Sequence, residues 1–155
     1  MSVDSAILSA ITALVAVVVG PIVAVTVAKK QINATVVSGN RQVWINRLRD
    51  EVASLVAIVH YLPSAHANKS MTSEAAIEKY GQFVERAQVV KLLINPKERD
   101  HRELVHLVDT ASRKLINSIN SKQANAPEFE ALAEEIVTHT QAVLKREWNR
   151  VKNGK

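Results

Sequence analysis

The stretch Ala6–Ala28, AILSAITALVAVVVGPIVAVTVA, runs for 23 residues without a charge. As an α-helix it is about 35 Å long, against a hydrocarbon core of about 30 Å. A buried helix of a soluble protein rarely lacks a polar face over this length. The stretch therefore predicts a transmembrane helix. A cleaved signal peptide would need a basic leader and a shorter apolar run. Neither is present, since Met1 to Ser5 contain no Lys or Arg. Retention of the span is expected.

Charge gives the orientation. The chain has 155 residues, with 20 Lys and Arg against 15 Asp and Glu, a formal net charge of +5. Every cation follows residue 28, and Asp4 is the only acid before it. Lys29, Lys30, Arg41, Arg47 and Arg49 form a juxtamembrane basic cluster, suited to topology control or anionic lipid headgroups. The positive-inside rule places the N-terminus outside and the bulk of the chain in the cytoplasm. Asn33-Ala-Thr35 and Asn68-Lys-Ser70 match the glycosylation pattern, but this topology hides both.

Within the span, Ala13, Ala16, Gly20, Ala24 and Ala28 form a small-residue stripe. Such a stripe lets two helix backbones approach closely in lipid and predicts self-association or docking on a partner's membrane helix. Pro21 removes one backbone hydrogen bond and predicts a kink. No ionisable residue lies in the span, so the usual sign of an ion path is missing.

Beyond the span the pattern is helical. Trp44, Leu48, Val52, Leu55, Val59 and Leu62 form one apolar stripe, which Pro63 is expected to end. Residues 63–72 read as a polar loop, with Ser70 or Thr72 as the next cap. Ala76, Tyr80, Phe83, Ala87, Val90 and Ile94 mark a helix from about Ser73. Asn95-Pro96-Lys97-Glu98 reads as a capping box that starts a further helix at Pro96. That helix carries Leu104, Val108, Ala111, Leu115 and Ile119. Pro127 opens a last one, with Phe129, Leu132, Ile136, His139 and Val143 on one face and Val137, Leu144, Trp148 and Val151 beside it. Trp44 and Trp148 are both expected to anchor the core.

The fold expected is all-α: one N-terminal transmembrane helix plus an antiparallel bundle of about four cytoplasmic helices. The chain divides into an anchor (1–30), a juxtamembrane connector (31–40), the bundle (41–151) and a tail (152–155) expected to fray. The membrane helix can break at Ser38-Gly39-Asn40 or run straight on.

Chemistry is sparse. With no cysteine, disulfides, thiolate zinc sites and cysteine nucleophiles are excluded. Glu98-x-x-His101 and Glu103-x-x-His106 match half of a di-iron motif, but both lie on one helix, and that site needs two helices. Glu98 is expected to cap and the rest to face solvent. No nucleophile is paired with a base, and no Gly-rich phosphate loop exists. No catalytic residue, metal or cofactor is expected. A second basic cluster, Lys145, Arg146, Arg150, Lys152 and Lys155, can meet lipid phosphates. Aromatics for base stacking are scarce, which disfavours nucleic acid.

Three stretches carry a resemblance: Arg41-Gln-Val-Trp-Ile-Asn-Arg-Leu-Arg49, then Leu92-Leu-Ile-Asn-Pro-Lys-Glu98 with His101, and Leu144-Lys-Arg-Glu-Trp-Asn-Arg-Val-Lys152. Here the chain resembles a diffuse group of small, uncharacterised bacterial and phage membrane proteins with a single N-terminal span. The resemblance implies a bacterial inner membrane and no activity. The expected function is a non-enzymatic, membrane-anchored interaction scaffold. Its partners are the lipid bilayer, a second copy of the chain and a protein at the cytoplasmic bundle. A pore-forming or membrane-perturbing effector is the alternative, and a membrane-tethered binder of nucleic acid or anionic lipid the third reading.

Overall fold

The computed structural model describes residues 3–152, without the side chains of residues 3–6, 8, 33 and 34. The tail beyond Lys152, with Lys155 of the second basic cluster, lies outside the described residues, as does the Asn33 side chain. The elements are α1 (Val3–Ile32), a π-helical turn (Asn33–Val37), α2 (Ser38–Ala67), α3 (Ser73–Leu93), α4 (Arg99–Ser121) and α5 (Ala126–Lys152). Among the described residues there is no strand.

The connector resolves the choice at Ser38-Gly39-Asn40. The chain stays helical from α1 through the wide π turn into α2. Glycine within a helix costs only about 1 kcal/mol. The packing of α2 from Ile45 onward exceeds that. Pro21 likewise sits inside α1 without ending it.

Two expected boundaries move. Pro63 does not end its helix: α2 continues to Ala67, with Pro63, Ala65 and His66 buried. The proline forfeits one backbone bond, and burial of that last turn offsets the loss. The turn is closed by Ser70, whose amide and hydroxyl both donate to Ala65 O at 3.0 and 2.9 Å. Thr72 then caps α3, accepting from Ala75 N at 3.2 Å. The second correction concerns Pro96. The helix starts at Arg99, and Asn95–Glu98 form a separate turn instead. Asn95 Oδ1 accepts from Lys97 N at 3.1 Å, and Glu98 N donates to Asn95 O at 3.1 Å.

Helices α2 to α5 pack as a bundle around one apolar core. Leu48, Leu55, Leu62, Phe83, Val90, Leu104, Leu115, Ile136 and Val143 are fully buried in it. Neighbouring helices run in opposite directions. Trp44 meets Leu93, and seven residues on, Glu51 meets Arg86, seven residues back along α3. In the same way Glu103 meets His139 while Lys114 meets Glu128. Arg41 faces Glu147, which brings the start of α2, the α3–α4 turn and the end of α5 to one end of the bundle. That is the end from which α1 departs.

α1 is long and apolar enough to cross a membrane, and no residue of its most apolar window is buried against the rest of the chain. Trp148 departs from expectation: it is 47% exposed, outside the core. Glu147 takes the inward position in its place and is 5% exposed.

Candidate functional site: the charged cluster at the α1 end of the bundle

Three helix ends converge where α1 leaves the bundle. α2 supplies Arg41 and Trp44, the α3–α4 turn and the first turn of α4 supply Glu98, Asp100 and His101, and α5 supplies Arg146, Glu147 and Arg150.

Arg146 is the hub. Its guanidinium donates to Asp100 and Glu98, and also to Glu147 at 3.2 Å. Arg150 bridges Glu147 at 2.7 Å and Glu98 at 3.3 Å. Arg41 adds a third contact to Glu147 at 3.6 Å. Three arginines thus face three carboxylates, and the cluster is neutral. Burial pushes the Glu98 and Asp100 carboxyls up, but the arginines and His101 outweigh it and hold both below the usual range. Burial opposes the Arg146 charge, yet its acids raise it above the usual arginine value.

His101 was expected on a solvated face and is 3% exposed. Its ring stacks on Trp44, with centroids 6.0 Å apart and planes 17° from parallel. Trp44 Nε1 donates to Leu93 O, which fixes the indole across the end of α3. His101 Nδ1 accepts the Asn95 amide at 2.8 Å. Arg146 Nη2 lies 3.0 Å from the other ring nitrogen, Nε2. Burial holds the ring's pKa below its ordinary value of 6.5. The nearby acids oppose that shift, and Arg146 adds to it.

The ligand atoms of Glu98, Asp100 and His101 all lie within 4.8 Å of one another, close enough to share a cation. The Arg146 guanidinium already fills that role. An open cavity of about 480 Å³ adjoins the cluster, walled by Asn40, Arg41, Trp44, Glu98, Glu147 and Arg150. Its acids and bases balance, so it has no preference for either sign of ligand.

The residues singled out from sequence fall into two groups. Ala13, Ala16, Gly20, Ala24, Ala28 and Pro21 are exposed on α1, and a Cβ at Gly20 would meet nothing within 4 Å. Lys29 and Lys30 are exposed in its last turn. Arg41 turns inward to Glu147, while Arg47 pairs with the buried Glu51 at 2.8 Å. Arg49 donates to Asn46 at 3.0 Å. Of the second basic cluster, Arg146 and Arg150 are committed to the acids. His139 sits at a boundary, 3.1 Å from Glu103. Sequence reading missed Glu51, Glu147 and the inward role of His101. The available signal was phase: His101 falls three residues before Leu104, and Glu147 four after Val143, each in step with the buried stripe.

No family model, curated protein or solved structure matches this chain.

Proposed function

We propose that this chain is a non-enzymatic, membrane-anchored scaffold: α1 spans a bacterial inner membrane and holds an antiparallel bundle of four helices at its cytoplasmic face. The observation that carries the reading is the apolar window of α1, with none of its residues buried by the rest of the chain. In water such a surface costs roughly 25 cal/mol for every Å² left exposed. A bilayer removes that cost. The helix continues from α1 into α2, so the anchor and the bundle are joined by a stalk rather than a slack linker. Lys29 and Lys30 at the end of α1 favour the cytoplasmic side for the bundle.

The charged cluster supports a structural role. Its acids and bases satisfy one another, and they clamp the bundle closed at the root of the stalk. The small-residue stripe Ala13, Ala16, Gly20, Ala24 and Ala28 is the surface through which copies associate in the membrane, and the bundle is the surface offered to a partner protein.

Membrane fractionation followed by mass measurement of the detergent-solubilised chain tests this reading. The expected result is a membrane-bound oligomer that Gly20→Leu with Ala24→Leu reduces to a monomer. A chain recovered in the soluble fraction overturns the anchor. An oligomer unchanged by the double substitution overturns the stripe as its interface.

A further inference from the structure

The end of the bundle nearest α1 carries two kinds of basic residue. Arg41, Arg146 and Arg150 are held by acids, and Arg102 donates to the Pro96 and Lys97 carbonyls. The lysines are not held in this way: Lys29, Lys30, Lys97, Lys145 and Lys152 form no ion pair among the described residues. Helix direction gives their heights. α5 runs against α2 with Glu147 beside Arg41, so Lys152 lies level with about residue 36. Arg150 touches Glu98, which brings the turn that holds Lys97 to nearly the same level. Residue 36 is about 9 Å along the helix from Lys30. The headgroup layer of one leaflet is about 5–7 Å deep. Lys97 and Lys152 therefore form a collar just above that layer, within reach of its phosphates through flexible side chains.

Apolar exposure coincides with the collar. Ile32, Val36 and Val37 are 57%, 53% and 40% exposed on the connector. The unpaired acids stand elsewhere. Asp50 and Glu85 are at least nine residues, or about 13 Å, higher than Arg41. Glu74 and Glu130, which no cation pairs, belong to the opposite end, where Lys69 and Lys122 accompany them, and Glu134 and Glu135 lie midway along α5.

We infer that this end of the bundle is a docking face for an anionic bilayer surface, with Lys97 and Lys152 over lipid phosphates and Ile32, Val36 and Val37 facing the interfacial layer. This rests on the anchored reading of α1. Docking fixes the bundle against the membrane, so its orientation depends on lipid charge. Each lysine near the surface contributes about 1 kcal/mol, which is a factor of about 5 in the docked population.

The chain has no cysteine, so single cysteines can be placed in the full-length protein for nitroxide labelling. Leu14→Cys, Asn149→Cys and Gln123→Cys report the span, the collar and the far end. Each is reconstituted in nanodiscs of phosphatidylcholine alone or with phosphatidylglycerol. Collision with a water-soluble nickel chelate is compared with collision with oxygen. The expected result is a several-fold loss of nickel access at residue 149 on adding phosphatidylglycerol. It should be reversed by molar salt and by Lys97→Gln with Lys152→Gln, with residue 123 unchanged. Equal access at residue 149 in both discs overturns the docking face, as does protection that salt and the lysine substitutions leave intact. Spin–spin broadening at residue 149 in place of lipid-dependent protection assigns the face to a second copy and overturns it too. If residue 14 itself is open to nickel in both discs, the anchored reading fails. If only residue 149 is open, docking alone fails.

Discussion

His101 Nδ1 accepts the amide proton of Asn95, and a charged ring cannot make that bond. Its pKa is lowered in the folded chain, so the unfolded state binds more protons once the pH falls below about 6.5. The stability this group contributes is fully present above that value and is lost as pH falls through the folded pKa. Glu98 and Asp100 are also held low, and their contributions are lost at more acid pH, below the ordinary carboxylate values. The thermal midpoint of the bundle should therefore decline first between pH 7 and 5. In His101→Gln that first decline should flatten, and an unchanged slope would contradict the assignment. Arg146→Ala leaves Glu98, Asp100 and the buried Glu147 short of a counter-charge. Removing a partner from a buried pair costs 3–5 kcal/mol, and Arg146 is partly exposed, so about 2 kcal/mol is expected from denaturant midpoints. None of this was legible from residue type. Glu98-x-x-His101 looked like a solvated helix start because the arginines that neutralise it lie nearly 50 residues away on α5.

Among the elements, local chemistry was readable where it acts within one turn. Thr72 caps α3 as its sequence indicates, and Thr72→Ala is expected to lower stability by about 1 kcal/mol in chemical denaturation. Signals that depend on packing misled. Pro63 punctuates a sequence, but buried neighbours carry the helix another turn past it. Asn95-Pro96 closes a turn rather than a helix, because the Asn95 amide is taken by His101 and the Asn95 side chain by Lys97 N and Glu98. Trp148 shares a stripe with Leu144 and Val151, yet that stripe lies beside the core face. The same face admits Glu147 because Arg41, Arg146 and Arg150 neutralise it there.

For the whole molecule, the spacing of apolar residues on α2 to α5 was sufficient to place most of the core. Phe83→Ala, at a fully buried position, should cost about 3–5 kcal/mol and lower the bundle's unfolding midpoint without detaching the chain from membranes. Helix continuity across Gly39 was not readable, since glycine is compatible with either outcome. In the proposed reading α1 lies in a bilayer, with the bundle on the cytoplasmic side. The most direct test is the reactivity of single cysteines at Val3, Val17 and Asn149 toward a membrane-impermeant maleimide, in intact cells, in lysed cells and in detergent. Val3→Cys is expected to react in intact cells, Asn149→Cys only after lysis, and Val17→Cys only once detergent is added. Equal reaction of all three without detergent would contradict that reading.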